Sequence, residues 1–167
     1  MLNAVSITEV IFDILSILLS DKTNYTFGRG NSPKVDKKAT KELFMSEAEH
    51  GKRDTSINKL EFQTLLLVYM MNEDDGKISM AEKSIILKNF DHYKYYLTRD
   101  DLKRIKKLLK QDYSLEAIVK LSKLKGLTVR DINEGIGLLQ IINQSEKRYS
   151  GIIEKIRKRF VIEVEYL

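Results

Sequence analysis

The sequence has no cysteine and no tryptophan, and only one proline, two histidines and eight glycines among its 167 residues. Without cysteine there is no disulfide framework, no thiol nucleophile and no zinc site built on thiolates. His50 and His92 alone cannot assemble a multi-histidine metal centre. So few prolines and glycines leave long helices uninterrupted. No stretch of about 20 nearly uncharged apolar residues is present, so no membrane span is expected. The apolar opening segment, Met1 to Leu19, is broken by Glu9 and Asp13. It also lacks the early positive charge and small-residue cleavage site of an export signal. With no export signal and no cysteine, the expected location is the cytoplasm.

Apolar residues make up 43% of the chain and charged residues 32%, which describes a globular protein and not a disordered one. A chain of this length buries roughly 70% of its unfolded surface. The expectation is one compact domain over residues 1–167. The net charge is +5, from 29 Lys and Arg against 24 Asp and Glu. It is uneven: residues 1–90 hold 12 basic and 13 acidic residues, and residues 91–167 hold 17 and 11.

Apolar spacing and capping signals read as an all-α bundle of about seven helices with no convincing strand pair. Val10, Ile11, Ile14, Leu15 and Leu18 form one face of a first core helix, and Ser6-Ile7-Thr8-Glu9 reads as its capping box. Residues 20–34 hold two glycines, two asparagines and the only proline, and read as a flexible loop. Val35, Ala39 and Leu43 mark a helix to about His50, with Gly51 placed to end it and Lys52 to Ser56 as a polar linker. Leu60 to Met71 is apolar on most sides and belongs at the centre of the domain. Ser79 with Glu82, Thr98 with Asp101 and Thr128 with Asp131 open three later helices, and a helix near 114–125 ends at Gly126. A last helix carries Ile152, Ile153, Ile156 and Phe160, and the alternating tail from Val161 to Leu167 suggests a short extended end. Glu61-x-x-x-Leu65-Leu66 is echoed by Glu134-x-x-x-Leu138-Leu139, a weak sign of a pseudo-duplicated bundle.

One loop has the composition of a cation site. Hard cations need several oxygen ligands converging within one turn. Glu73, Asp74, Asp75 and Glu82 supply carboxylates around Gly76, between two helices. Against the calcium-loop pattern, Gly76 takes the tight-turn position, Ile78 the apolar position and Glu82 the final acidic position. Met71 falls on the first ligand position and cannot serve. Binding of Ca²⁺ or another divalent cation would therefore be weak. The competing reading is an ordinary Asp-Gly turn followed by a capped helix.

The run Asp75-Gly76-Lys77-Ile78-Ser79-Met80-Ala81-Glu82, placed after the apolar helix Leu65 to Met71, resembles the motif of the TerB tellurite-resistance family. The resemblance covers about residues 58–110, and 58–160 if the echo is counted. It implies an all-helical, pseudo-duplicated, cytoplasmic domain that is not an established enzyme. It also implies an association with stress or phage-defence systems, with membrane-linked complexes and with divalent-metal binding. By position only Asp75 and Glu82 carry over, with Asp74 beside them. The second half has Asn143-Gln144-Ser145-Glu146 where another Asp-Gly would stand, so a two-site metal centre is not expected.

The basic half offers a different reading. Lys103, Arg104, Lys106, Lys107 and Lys110 line the outer face of an amphipathic helix. Lys147, Arg148, Lys155, Arg157, Lys158 and Arg159 form a second cluster. If these converge they could follow a phosphate backbone, and binding would weaken steeply with salt. Arg130, Asn133 and Gln140 are the nominal base readers, and Tyr93, Tyr95 and Tyr96 beside Lys94 could stack on bases. For catalysis, Ser46, Glu49 and His50 share a helix, but no oxyanion donor accompanies them. The expectation is therefore a non-enzymatic helical interaction domain whose partner is another protein. A nucleic-acid or anionic-surface binder, including peripheral contact with a membrane, is the alternative.

Overall fold

The computed structural model of the chain describes residues 6–24 and 47–165. Seven α-helices occur there: α1 Ile7–Asn24, α2 Glu47–Glu73, α3 Met80–Phe90, α4 Arg99–Leu109, α5 Leu115–Leu124, α6 Val129–Glu146 and α7 Ser150–Glu165. A 3-10 turn, Asp91–Tyr95, joins α3 to α4, and no strand is present among the described residues.

Most helix starts follow the local signals. In the box at α1 the Ser6 amide donates to Glu9 and the Glu9 amide to the Ser6 hydroxyl, at 3.2 and 3.3 Å. Full boxes of the same kind open α3, α4 and α6, and Ser114 caps α5 alone. Each satisfies amides that have no partner inside their own helix. Gly126 ends α5 at φ +65°, where a side chain would be strained.

Three boundaries differ from the sequence reading. Gly51 does not end a helix but lies inside α2, and the expected linker Lys52 to Ser56 is helical. An interior glycine costs about 1 kcal/mol. The pair of Arg53 with Asp101 of α4 at 2.6 Å ties this part of α2 to the bundle and works against that cost. The expected loop 20–34 begins late, because Ser20 to Asn24 continue α1, with the Ser20 hydroxyl on the Ser16 carbonyl. Its remainder, and the helix expected from Val35, lie outside the described residues up to Glu47. Val161 to Glu165 continue α7 instead of forming an extended end. No strand edge is present among the described residues for them to pair against, and the helix supplies partners for their amides.

The apolar α2 is the hub, packing against α1, α4, α5, α6 and α7. Leu60, Phe62, Leu66, Leu67, Met70 and Met71 are all fully buried, as the all-round hydrophobicity of the segment requires. The Phe62 ring meets Phe160 of α7 edge-on, with centroids 5.7 Å apart. It also lies against Gly135 of α6, where an added Cβ would come within 2.9 Å of it.

Three of the four buried acids of the described core, Glu82, Asp101 and Asp131, occupy the third position of a capping box. Each draws a cation from another helix or turn: Arg148, Arg53 and Lys59 respectively. The fourth, Glu61 of α2, is held between Arg104 and Lys125. At Asp131 burial works against the charge. The Lys59 ammonium and the Thr128 amide and hydroxyl outweigh it and hold the carboxyl below its usual range. The native state then binds this proton more weakly than the unfolded chain does. Its stabilisation is complete above about pH 4 and is lost as pH falls below that value. Urea unfolding from pH 6 downward is expected to show a shallower acid loss of stability in Asp131→Asn than in wild type. Equal slopes would refute the assignment.

Candidate functional site

The turn between α2 and α3 is built by its own backbone. The amides of Asp74 and Gly76 donate to the Met71 carbonyl at 3.2 and 2.8 Å, and Gly76 sits at φ +69°. The Asp75 carboxylate accepts the Lys77 amide at 2.9 Å, closing an Asx turn. Met71, at the first position of the calcium pattern, is fully buried in the core.

The carboxylates of this turn converge on a guanidinium. Arg148, in the turn between α6 and α7, reaches Asp74 at 3.2 Å, Asp75 at 3.4 Å and Glu82 at 3.1 Å. One of its nitrogens also donates to the Lys77 carbonyl at 2.9 Å, and another pairs with Glu146 at 3.3 Å. Its plane lies over the Tyr149 ring, 4.7 Å from the centroid. Partial burial opposes the charge, but Glu82 and Asp75 hold Arg148 protonated more strongly than usual. Asp75 is kept below the ordinary carboxylate range by the Lys77 amide and by Arg148. Asn143 sets the turn that delivers Arg148: its carbonyl oxygen accepts the Tyr149 amide at 2.8 Å and its amide nitrogen donates to Ser150. Lys147, in the left-handed region at φ 57°, completes it.

Of the four carboxylates read as metal ligands, Asp74, Asp75 and Glu82 are thus brought together, while Glu73 turns away to Lys155 at 3.1 Å. A guanidinium fork holds oxygens farther apart than an ion with ligands at 2.3–2.6 Å would. Among the described residues, no group of three or more acids or histidines is placed to hold a metal ion.

Beside the turn runs a groove of about 840 Å³. Its floor is Leu65 and Val68 of α2, Leu109 of α4 and Leu115 of α5. Tyr69 and Tyr113 stand on its walls, and Glu73, Asp74, Asp75 and Asp112 on its rim. Among the described residues Lys155 is the single cation lining it. That ammonium lies 3.1 Å from Glu73 and 5.7 Å from the centre of the Tyr69 ring. Tyr69 and Glu73 keep it charged beyond the usual lysine range.

No family model, curated protein or solved structure matches this chain.

The two basic clusters lie on helices with different packing partners. The helix α4, carrying Lys103, Arg104, Lys106, Lys107 and Lys110, packs on α1 and α2; α7, carrying Arg157, Lys158 and Arg159, packs on α2, α5 and α6. Part of their charge is already matched. Lys103 faces Asp100 at 3.9 Å, and Arg104 lies on Glu61 and Asp101. Arg157 and Lys158 share Glu154, at 3.6 and 4.0 Å, and Arg159 meets Glu116 at 3.8 Å. Lys106 covers the Phe12 ring at 4.5 Å. No ion pair among the described residues involves Lys107 or Lys110.

Arg148 had the look of a phosphate contact and is instead an internal counter-ion. Arg130 pairs with Glu134 at 3.2 Å, while Asn133 and Gln140 are exposed on α6. The tyrosines separate: Tyr93 is buried with its hydroxyl on Gln63, whereas Tyr95 is exposed under Lys94. Ser46 and the side chains of Glu49 and His50 lie outside the described residues. The groove is not legible in the sequence, because its floor joins Leu65 and Val68 of α2 to Leu109 and Leu115, which lie far along the chain from them. The one sequence signal for Arg148 is that it stands as far from Asp75 as Glu134 stands from Glu61, at opposite charge.

Proposed function

We propose that the chain is a non-enzymatic, TerB-like helical interaction domain that holds a protein partner in the groove beside the α2–α3 turn. The observation that supports this most is the groove: an apolar floor on the central helix, with an acidic rim stiffened by the Arg148 network. An apolar centre inside a polar rim is the anatomy of a protein interface. The position of Asp75-Gly76-x-Ile78-x-x-x-Glu82 between two central helices agrees with the TerB resemblance. In this reading the cation of the turn is Arg148, and a divalent ion would have to displace it. Melting of the wild type is accordingly expected to be unchanged by millimolar Ca²⁺, Mg²⁺ or Mn²⁺. A rise of several degrees would return the turn to the metal-site reading.

The ion pairs of Arg104 with Glu61 and of Arg159 with Glu116 take part of the charge of the two basic helices, which weighs against the nucleic-acid alternative, since phosphate binding draws on unmatched cations. The interaction reading is tested with a photo-crosslinking residue placed at Asp112, on the rim, or at Lys107, outside the groove. A protein adduct formed in cells from position 112 and not from 107 is the expected result. Adducts from 107 alone, or equally from both, would refute it.

A further inference from the structure

The groove carries a charge opposite to that of the molecule. The chain as a whole is +5, yet four carboxylates and one ammonium line this cleft. Two of the chain's own cations, Lys155 in the groove and Arg148 in the neighbouring turn, show what such carboxylates and rings accept. Lys155 lays its ammonium between the Glu73 carboxylate and the Tyr69 ring. Arg148 lays its guanidinium across Asp74, Asp75 and Glu82 over the Tyr149 ring. In both seats a carboxylate and an aromatic face hold one cation, a pairing that favours ammonium and guanidinium groups. The same ingredients recur in the lining without a cation. Asp112 and the half-buried Tyr113, neighbours in sequence, both line the groove, and no ion pair among the described residues involves Asp112. Leu65, Val68, Leu109 and Leu115 line it as well.

We infer that the groove takes a basic, apolar-anchored peptide segment of its partner, with a lysine or arginine on the Asp112–Tyr113 wall and aliphatic side chains on the floor. This rests on the interaction reading above and names the chemistry of the partner. A small anionic ligand is disfavoured by Asp112, whose carboxylate has no ion pair among the described residues, with Glu73, Asp74 and Asp75 beside it. A bare polycation would leave the apolar floor uncovered. A segment with both features matches rim and floor together, which gives specificity as well as attraction.

The test uses the full chain and three short fluorescent peptides: lysine alternating with leucine, lysine with serine, and glutamate with leucine. Fluorescence anisotropy is expected to show binding of the lysine–leucine peptide, with the lysine–serine peptide at least about tenfold weaker and the glutamate–leucine peptide not binding. Asp112→Lys and Tyr113→Ser are each expected to weaken the first peptide by about tenfold, and Lys107→Glu to leave it unchanged. Asp112 is exposed, so an unaltered melting curve will show that its variant is folded. Binding that Asp112→Lys does not weaken, or that the glutamate–leucine peptide shares, would overturn the inference. So would self-association in sedimentation that Asp112→Lys abolishes, since the occupant would then be a second copy of the chain. If the peptides fail while the crosslinker at position 112 still captures a protein, only the basic-segment inference falls. If both fail, the interaction reading falls with it.

Discussion

Replacing Arg148 by alanine is expected to lower the stability of the fold by about 2–4 kcal/mol, a drop of roughly 5–15 °C in melting temperature. The cost arises at Glu82, which has no exposure to solvent and would be left with the Ser79 amide but no counter-ion. Breaking such a pair is expensive because the remaining ion can neither reach water nor find another counter-charge. Arg148 keeps a quarter of its side chain exposed, so the value belongs at the lower end of the range for fully buried pairs. Two companions separate charge from packing. Adding Glu82→Gln to Arg148→Ala removes the stranded charge and is expected to recover much of the loss, since glutamine can still accept the Ser79 amide. Arg148→Lys keeps the charge but not the fork that spans Asp74, Asp75 and Glu82, and should fall between wild type and alanine. A loss below about 0.5 kcal/mol in Arg148→Ala, the range of an ordinary surface change, would show that the turn does not depend on this residue.

Phe62→Ala is expected to cost about 3–5 kcal/mol, measured by urea unfolding. The ring is fully buried, meets Phe160 edge-on and fills the space left by the missing side chain of Gly135. Gly135→Ala alone sets two effects against each other. Alanine gains about 1 kcal/mol of helix propensity, while overpacking of a filled core costs about 1–3 kcal/mol. The new Cβ would sit 2.9 Å from the Phe62 ring and 3.2 Å from Leu66, so net destabilisation is expected. In a Phe62→Leu background that clash is relieved, and Gly135→Ala should become neutral or stabilising. The double-mutant cycle reads this coupling directly. Additive effects would mean that Gly135 serves some purpose other than the close approach of α6 to α2.

The acids of the helix starts connect these predictions to the site. Glu82, Asp101 and Asp131 each cap a helix locally and accept a cation from a distant segment. One carboxylate thereby fixes both where a helix begins and what it packs against. At the α2–α3 turn this double use also decides the chemistry, since the charge of the carboxylates is already balanced in part by Arg148, which weakens their attraction for a loosely held ion.

The capping boxes, the Asp75-Gly76 turn, the stop at Gly126 and the central place of Leu60 to Met71 could all be read from residue order. Each rests on hydrogen bonds spanning a few residues or on apolar spacing along one helix, and such signals are written contiguously. Gly51 was misread because its local preference is outweighed by the Arg53–Asp101 pair, which exists only once α2 lies against α4. The same holds for Arg148: nothing near it in the chain distinguishes it from Arg157 or Lys158, and only the packing of α6 and α7 beside the α2–α3 turn directs it inward. Long cationic side chains reach either solvent or a buried acid with little change in local backbone. Their roles, and the groove assembled from α2, α4, α5 and α7, were therefore decided by tertiary structure alone.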